Sequence, residues 1–112
     1  MLSNNKSIQV SDNCKIYIMS PANVATGGPE ALHQLAYVLQ NSLKLSTFIY
    51  YIPVSEENPV HKNYEMYSIE FVKEIQDSSE NILIIPEYFE FLNIAKKFKK
   101  IQKIVWWLSV DN

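Results

Sequence analysis

Both glycines of this 112-residue chain stand side by side, as Gly27 and Gly28, in the segment Ser20-Pro-Ala-Asn-Val-Ala-Thr-Gly-Gly-Pro-Glu30. Backbone N–H groups at the start of a helix make a ready anion site, and glycine lets a ligand come close to the main chain. The segment is not a dinucleotide fingerprint, because G-x-G-x-x-G is absent. It is not a P-loop either, because no Lys-Ser/Thr pair follows the glycines. A tight turn with one glycine at positive φ is the plain structural alternative. It explains one glycine more easily than two in so glycine-poor a chain. The expectation is a strand-to-helix turn at Gly27 and Gly28, with positive φ at one of them, that a ligand approaches.

Other reactive side chains carry weaker signals. His33 is placed on the polar side of the first helix beside Gln34 and Tyr37, and His61 lies in a loop. Neither has a second His or a Cys at ligand spacing, so no metal site is expected. Cys14 is the single cysteine, and a nucleophilic role would need an activating base. Glu56 and Glu57 read as loop solvation. The run Lys96-Lys-Phe-Lys-Lys100 either touches anionic lipid head groups or is a solvated helix end favoured by the helix dipole, and the second is the simpler reading.

Composition removes several classes. Ten basic residues, all lysine, stand against twelve acids for a net charge of −2. Without arginine the chain lacks the side chain best suited to bidentate phosphate and base-edge contacts, so nucleic acid is not an expected partner. One cysteine excludes a disulfide scaffold, and the aromatic content argues against disorder. The apolar runs at 48–52 and 104–108 are far shorter than a membrane span requires. A polar N-terminus without a signal-like stretch, beside the lone cysteine, points to the cytoplasm.

The glycines need elements to hold them. Strands are expected at 15–20, 47–52, 82–85 and 103–108, from their β-branched and aromatic content. A helix follows the glycines, with Pro29 in its first position, Glu30 at the positive end of its dipole, and Leu32, Leu35, Ala36, Leu39 and Leu43 at helical spacing. A second helix is expected over 87–97. Residues 64–76 fit helix or strand, with helix favoured. Strands alternating with helices predict an α/β fold with a Rossmann-like parallel sheet of about four strands, in the order 3-2-1-4. Residues 1–14 read as a polar N-terminal arm and 15–112 as one domain, incomplete at its C-terminus. In that order strands 1 and 4 are neighbours, and Asp111 and Asn112 face the glycine loop. Trp106 and Trp107 fall on opposite faces of strand 4, which is an edge strand expected to self-associate.

On three segments the chain resembles the N-terminal half-domain of bacterial glycosyltransferases of the GT-B fold: SPANVATGGPEALHQLAYVLQ, NILIIPE and KIVWWLSVDN. The likeness covers most of 15–52 and 81–112. It implies that the loop with Gly27 and Gly28 lies at the cleft between two Rossmann-like domains and approaches the donor diphosphate or the transferred sugar. Asn23, Thr26, Gly27, Gly28 and Glu30, with Asp111 opposite, would line the cleft. The partners implied are a nucleotide-sugar and a hydroxyl acceptor, with no further cofactor. Such enzymes hold the donor mainly on a second domain, so this portion is expected to be inactive alone. The competing reading is a non-catalytic assembly module that pairs through its exposed fourth strand.

Overall fold

A computed structural model describes residues 8–106 of the chain. Strand β1 (Lys15–Pro21) leads into helix α1 (Gly27–Tyr37), which continues as a π-helical turn, Val38–Ser42. Strand β2 (Ser46–Ile52) is followed by a 3-10 helix, Lys62–Tyr67, and a two-residue strand β3 (Phe71–Val72). Then come β4 (Ile82–Pro86), α2 (Phe89–Ala95) and β5 (Gln102–Trp106). The strands form one parallel sheet in the order β3-β2-β1-β4-β5.

The α/β class and parallel sheet are as expected, but the strand count and two neighbours differ. Segment 82–86 pairs with β1 rather than β2, and 102–106 pairs with β4 rather than β1. The cause is β3. Its two residues pair as Ile49↔Phe71 and Tyr50↔Val72 and take the place beside β2. Counted with β3, the first four strands do follow 3-2-1-4, and β5 is added outside them. Two residues are too few for an alternation signal, and the helix favoured over 64–76 is instead a 3-10 helix ending at Tyr67 with β3 after it.

Strand alternation sends the side chains to two cores. Ile16, Ile18, Ile49, Tyr51, Ile82 and Ile84 meet Leu32 and Ala36 of α1 on one face. Tyr17, Met19, Tyr50, Leu83 and Ile85 meet Phe91 and Ala95 of α2 on the other. A sheet covered on both sides explains why β4 is apolar throughout. The helical spacing read through Leu43 breaks at the π-turn, where the Leu43 N–H donates to the Val38 carbonyl at 3.1 Å. That change of phase leaves Leu43 exposed.

Helix α2 is shorter than 87–97. After Ala95 its bonds tighten to i−3 contacts, with Lys96, Lys97 and Phe98 donating to Asn93, Ile94 and Ala95. The next three N–H groups, of Lys99, Lys100 and Ile101, all donate to the Asp77 carboxylate at 2.9 Å. These charge-assisted bonds hold its carboxyl below the usual range and fasten the turn into β5. Beside β5, the Gln9 N–H donates to Gln102 Oε1 at 2.8 Å, and Gln102 Nε2 donates back to the Gln9 carbonyl at 2.9 Å. Trp107, Asp111 and Asn112 lie outside the described residues, so nothing is placed there for strand 4 beyond Trp106 or for the Asp111 side of the cleft.

Candidate functional site

In an open parallel sheet, ligands bind beyond the carboxyl ends of the strands where the strand order reverses. Here the reversal lies between β1 and β4, so the crevice opens above Pro21 and Pro86. The loop entering it, 22–26, is tied back at two points. The Ala22 N–H donates to the Ile52 carbonyl at 3.0 Å and the Asn23 N–H to the Pro59 carbonyl at 2.6 Å. Asn23 has φ of 52°, a left-handed conformation that Asn tolerates better than most residues. Asn23 therefore makes the bend that was assigned to a glycine.

Gly27 and Gly28 open α1 instead, and neither has positive φ. Pro29 is accordingly third in the helix rather than first. Thr26 is the N-cap: its carbonyl accepts the first i−4 bond, from the Glu30 N–H at 3.1 Å, but its side chain makes no capping bond. A Cβ added at Gly27 would meet nothing within 4 Å. Neither dihedral angle nor crowding demands glycine there.

The expected site residues are only partly brought together. Asn23, Thr26 and Gly27 are exposed on the loop and helix end, and Gly28 is half-buried beside them. Glu30 turns aside. Its carboxylate accepts from the Tyr67 hydroxyl and from Gln34 Nε2, each at 3.0 Å.

Behind the helix end lies a network missed by the polar placement of His33. His33 is 1% exposed. Its Nδ1 is 2.7 Å from the Pro29 carbonyl and its Nε2 is 2.6 Å from the Tyr51 hydroxyl. A carbonyl can only accept, so Nδ1 carries the proton and Nε2 accepts from Tyr51. The Tyr64 ring stacks on the imidazole with centroids 4.0 Å apart, and its hydroxyl donates to the Thr26 carbonyl at 3.4 Å. Burial pushes the His33 pKa down and the Tyr51 pKa up, which keeps both neutral. The signal was present in the spacing, because His33 shares the buried stripe Pro29, Leu32, Ala36.

Two other candidates prove structural. His61 Nδ1 accepts from the Asn63 N–H at 3.0 Å and caps the 3-10 helix. Cys14 is buried with its thiol pKa raised, chiefly by desolvation, which disfavours the thiolate a nucleophile needs. No helix among the described residues is long and apolar enough to cross a membrane. No protein-family model, curated protein or solved structure matches the chain.

Proposed function

We propose that the chain is the acceptor-side half-domain of a glycosyltransferase of the GT-B type, in which the start of α1 approaches the diphosphate of a nucleotide-sugar. The observation that carries this reading is Gly27. It sits exposed at a helix N-terminus, at the reversal of strand order, with no steric or dihedral reason to be glycine. Within a helix, glycine is about 1 kcal/mol less favourable than alanine. A side chain there would stand between a phosphate and the N–H groups of the first turn, which Thr26 leaves uncapped.

The chemistry this arrangement supports is positioning and stabilisation of charge on a departing diphosphate. Network residues His33 and Tyr64 act as positioning residues, since they hold the Pro29 and Thr26 carbonyls at the helix start, and Tyr51 holds His33. With no arginine in the chain, donor affinity is weak unless a second domain adds contacts. Calorimetric titration with a nucleoside diphosphate tests the reading. Weak binding that Gly27→Val abolishes supports it, and binding unchanged by that substitution contradicts it.

A second reading, assembly through the sheet edge, draws on β5. This strand ends the sheet order, and Val105 is 39% exposed. Unpaired strand edges are association sites, although exposed Lys103 works against strand pairing.

A further inference from the structure

We infer that the face formed by α2, the turn after it and β5 is a docking surface for a bilayer rich in anionic lipid. The inference does not depend on the transferase reading.

Charge along the chain is segregated. From Phe91 to Val110 there is no acidic residue, yet this stretch holds Lys96, Lys97, Lys99, Lys100 and Lys103, half of the ten lysines in a chain of net charge −2. All five are exposed. The fold gathers them on one side of the sheet. In β5, Ile104 and Trp106 pack into the α1-side core, so alternation turns Lys103 and Val105 towards the α2 side.

The helix dipole does not account for this cluster. Helix α2 ends at Ala95, and dipole stabilisation fades within the last turn. It serves Lys96 and Lys97 but not Lys99, Lys100 or Lys103. Local partners account for only part of it: Lys97 Nζ lies 5.3 Å from the centre of the Phe98 ring, and Lys100 acts on the Asp77 carboxylate. Asp77 does reach this corner and is held ionised there by three backbone N–H groups and by Lys100, so it offsets one of the five lysine charges. Glu90, in the first turn of α2, and Glu87, just before the helix, lie at its other end.

An apolar anchor accompanies the charge. Phe89 is 83% exposed, and seven residues separate it from Lys96. At about 100° per residue the two lie on one side of α2, roughly 10 Å apart along the axis. Its ring projects from the start of α2, where Glu90 also stands, on the side that Lys96 continues. Lys97 also lines a hollow of about 240 Å³ together with Lys73 and Glu74.

Lysine-only charge favours lipid over nucleic acid. Ammonium groups on flexible stems are point charges that suit a fluid layer of phosphate head groups. Single-strand binding would want a row of stacking aromatics, and among the described residues the strongly exposed aromatic of this face is Phe89.

The test is flotation of the full 112-residue chain with phosphatidylglycerol–phosphatidylcholine vesicles and with phosphatidylcholine vesicles alone, at low and high salt. Binding should require phosphatidylglycerol, weaken with salt, and fall about tenfold or more when Lys96, Lys97, Lys99 and Lys100 are changed together to Gln. Phe89→Ser should weaken it severalfold at unchanged charge. Unaltered circular dichroism and melting temperature verify that both variants are folded. A single Lys103→Gln variant, expected to weaken binding by a smaller factor, serves if the fourfold variant does not fold. Equal binding to both vesicle types, no binding to either, or retention by the variants would overturn the proposal. So would tighter binding of single-stranded RNA through the same lysines.

Discussion

The Nε2 atom of His33 sits 2.6 Å from the hydroxyl of Tyr51, joining the second turn of α1 to the carboxyl end of β2. His33 holds the Pro29 carbonyl with its other nitrogen, so one imidazole spans the helix that begins the candidate site and the strand beneath it. The neutral ring satisfies both nitrogens, with the Tyr51 hydroxyl as donor to Nε2. Protonation would put a second N–H against Tyr51 and place a charge in a buried, aromatic pocket.

This arrangement predicts acid sensitivity. The folded pKa of His33 is depressed, while an unfolded histidine titrates near 6.5. Above that value the residue is neutral in both states and its stabilisation is complete. As pH falls below it, the unfolded chain binds a proton that the folded chain refuses, and stability drops at up to about 1.4 kcal/mol per pH unit. The drop ends once pH passes below the folded pKa. Urea unfolding from pH 7 downward should show this slope, and His33→Gln should flatten it while lowering stability at neutral pH. A parallel slope in wild type and variant would assign the effect elsewhere.

A second acid-sensitive point is Asp77. Its folded pKa is also depressed, mainly by the backbone N–H of Lys99. Its contribution is present above the unfolded carboxyl pKa and is lost as pH falls through the folded value. Asp77→Ala should lower the melting temperature at neutral pH and Asp77→Asn should lower it less, because an amide oxygen still accepts. Equal melting temperatures for all three proteins would mean that the turn holds without it.

Packing beneath the helix is tested at Leu32, which is fully buried between α1 and the sheet. Leu32→Ala should cost about 2–5 kcal/mol, the range for a buried leucine that leaves a cavity. Chemical denaturation measures it, and a cost below about 1 kcal/mol would mean that the α1 face collapses around the gap.

Most of the fold was legible because apolar strands and a stripe at helical spacing repeat their signal over several residues. What was missed depends on single contacts. Strand β3 is two residues that pair only because β2 offers a free edge. The left-handed bend fell to Asn23 because its N–H reaches the Pro59 carbonyl across the loop, a partner that local sequence does not show. His33 looked like a surface residue by type, although its position on the Pro29–Leu32–Ala36 stripe already pointed inward. That Gly27 and Gly28 stand between β1 and the body of the first helix was legible; the sideways pairing of Glu30 with Tyr67 depends on a 3-10 helix that periodicity does not reveal.

Association through the outer strand has its own outcome. If β5 pairs with a second copy, sedimentation at micromolar concentration should show dimers that Val105→Lys weakens, since Val105 is exposed on that strand. A monomer at every concentration would discard the assembly reading and leave the half-domain reading intact.

Gly27 decides the central claim, and amide-resolved NMR reads it directly. Titration of the chain with a nucleoside diphosphate should move the N–H signals of Gly27 and Gly28 first, with smaller shifts at Asn23 and Thr26. Gly27→Ala should keep or raise stability, by up to about 1 kcal/mol, because the added methyl meets nothing within 4 Å. It should weaken those shifts, and Gly27→Val should remove them. Contradiction would come from amide shifts centred away from residues 23–28, or from full binding by a folded Gly27→Val chain.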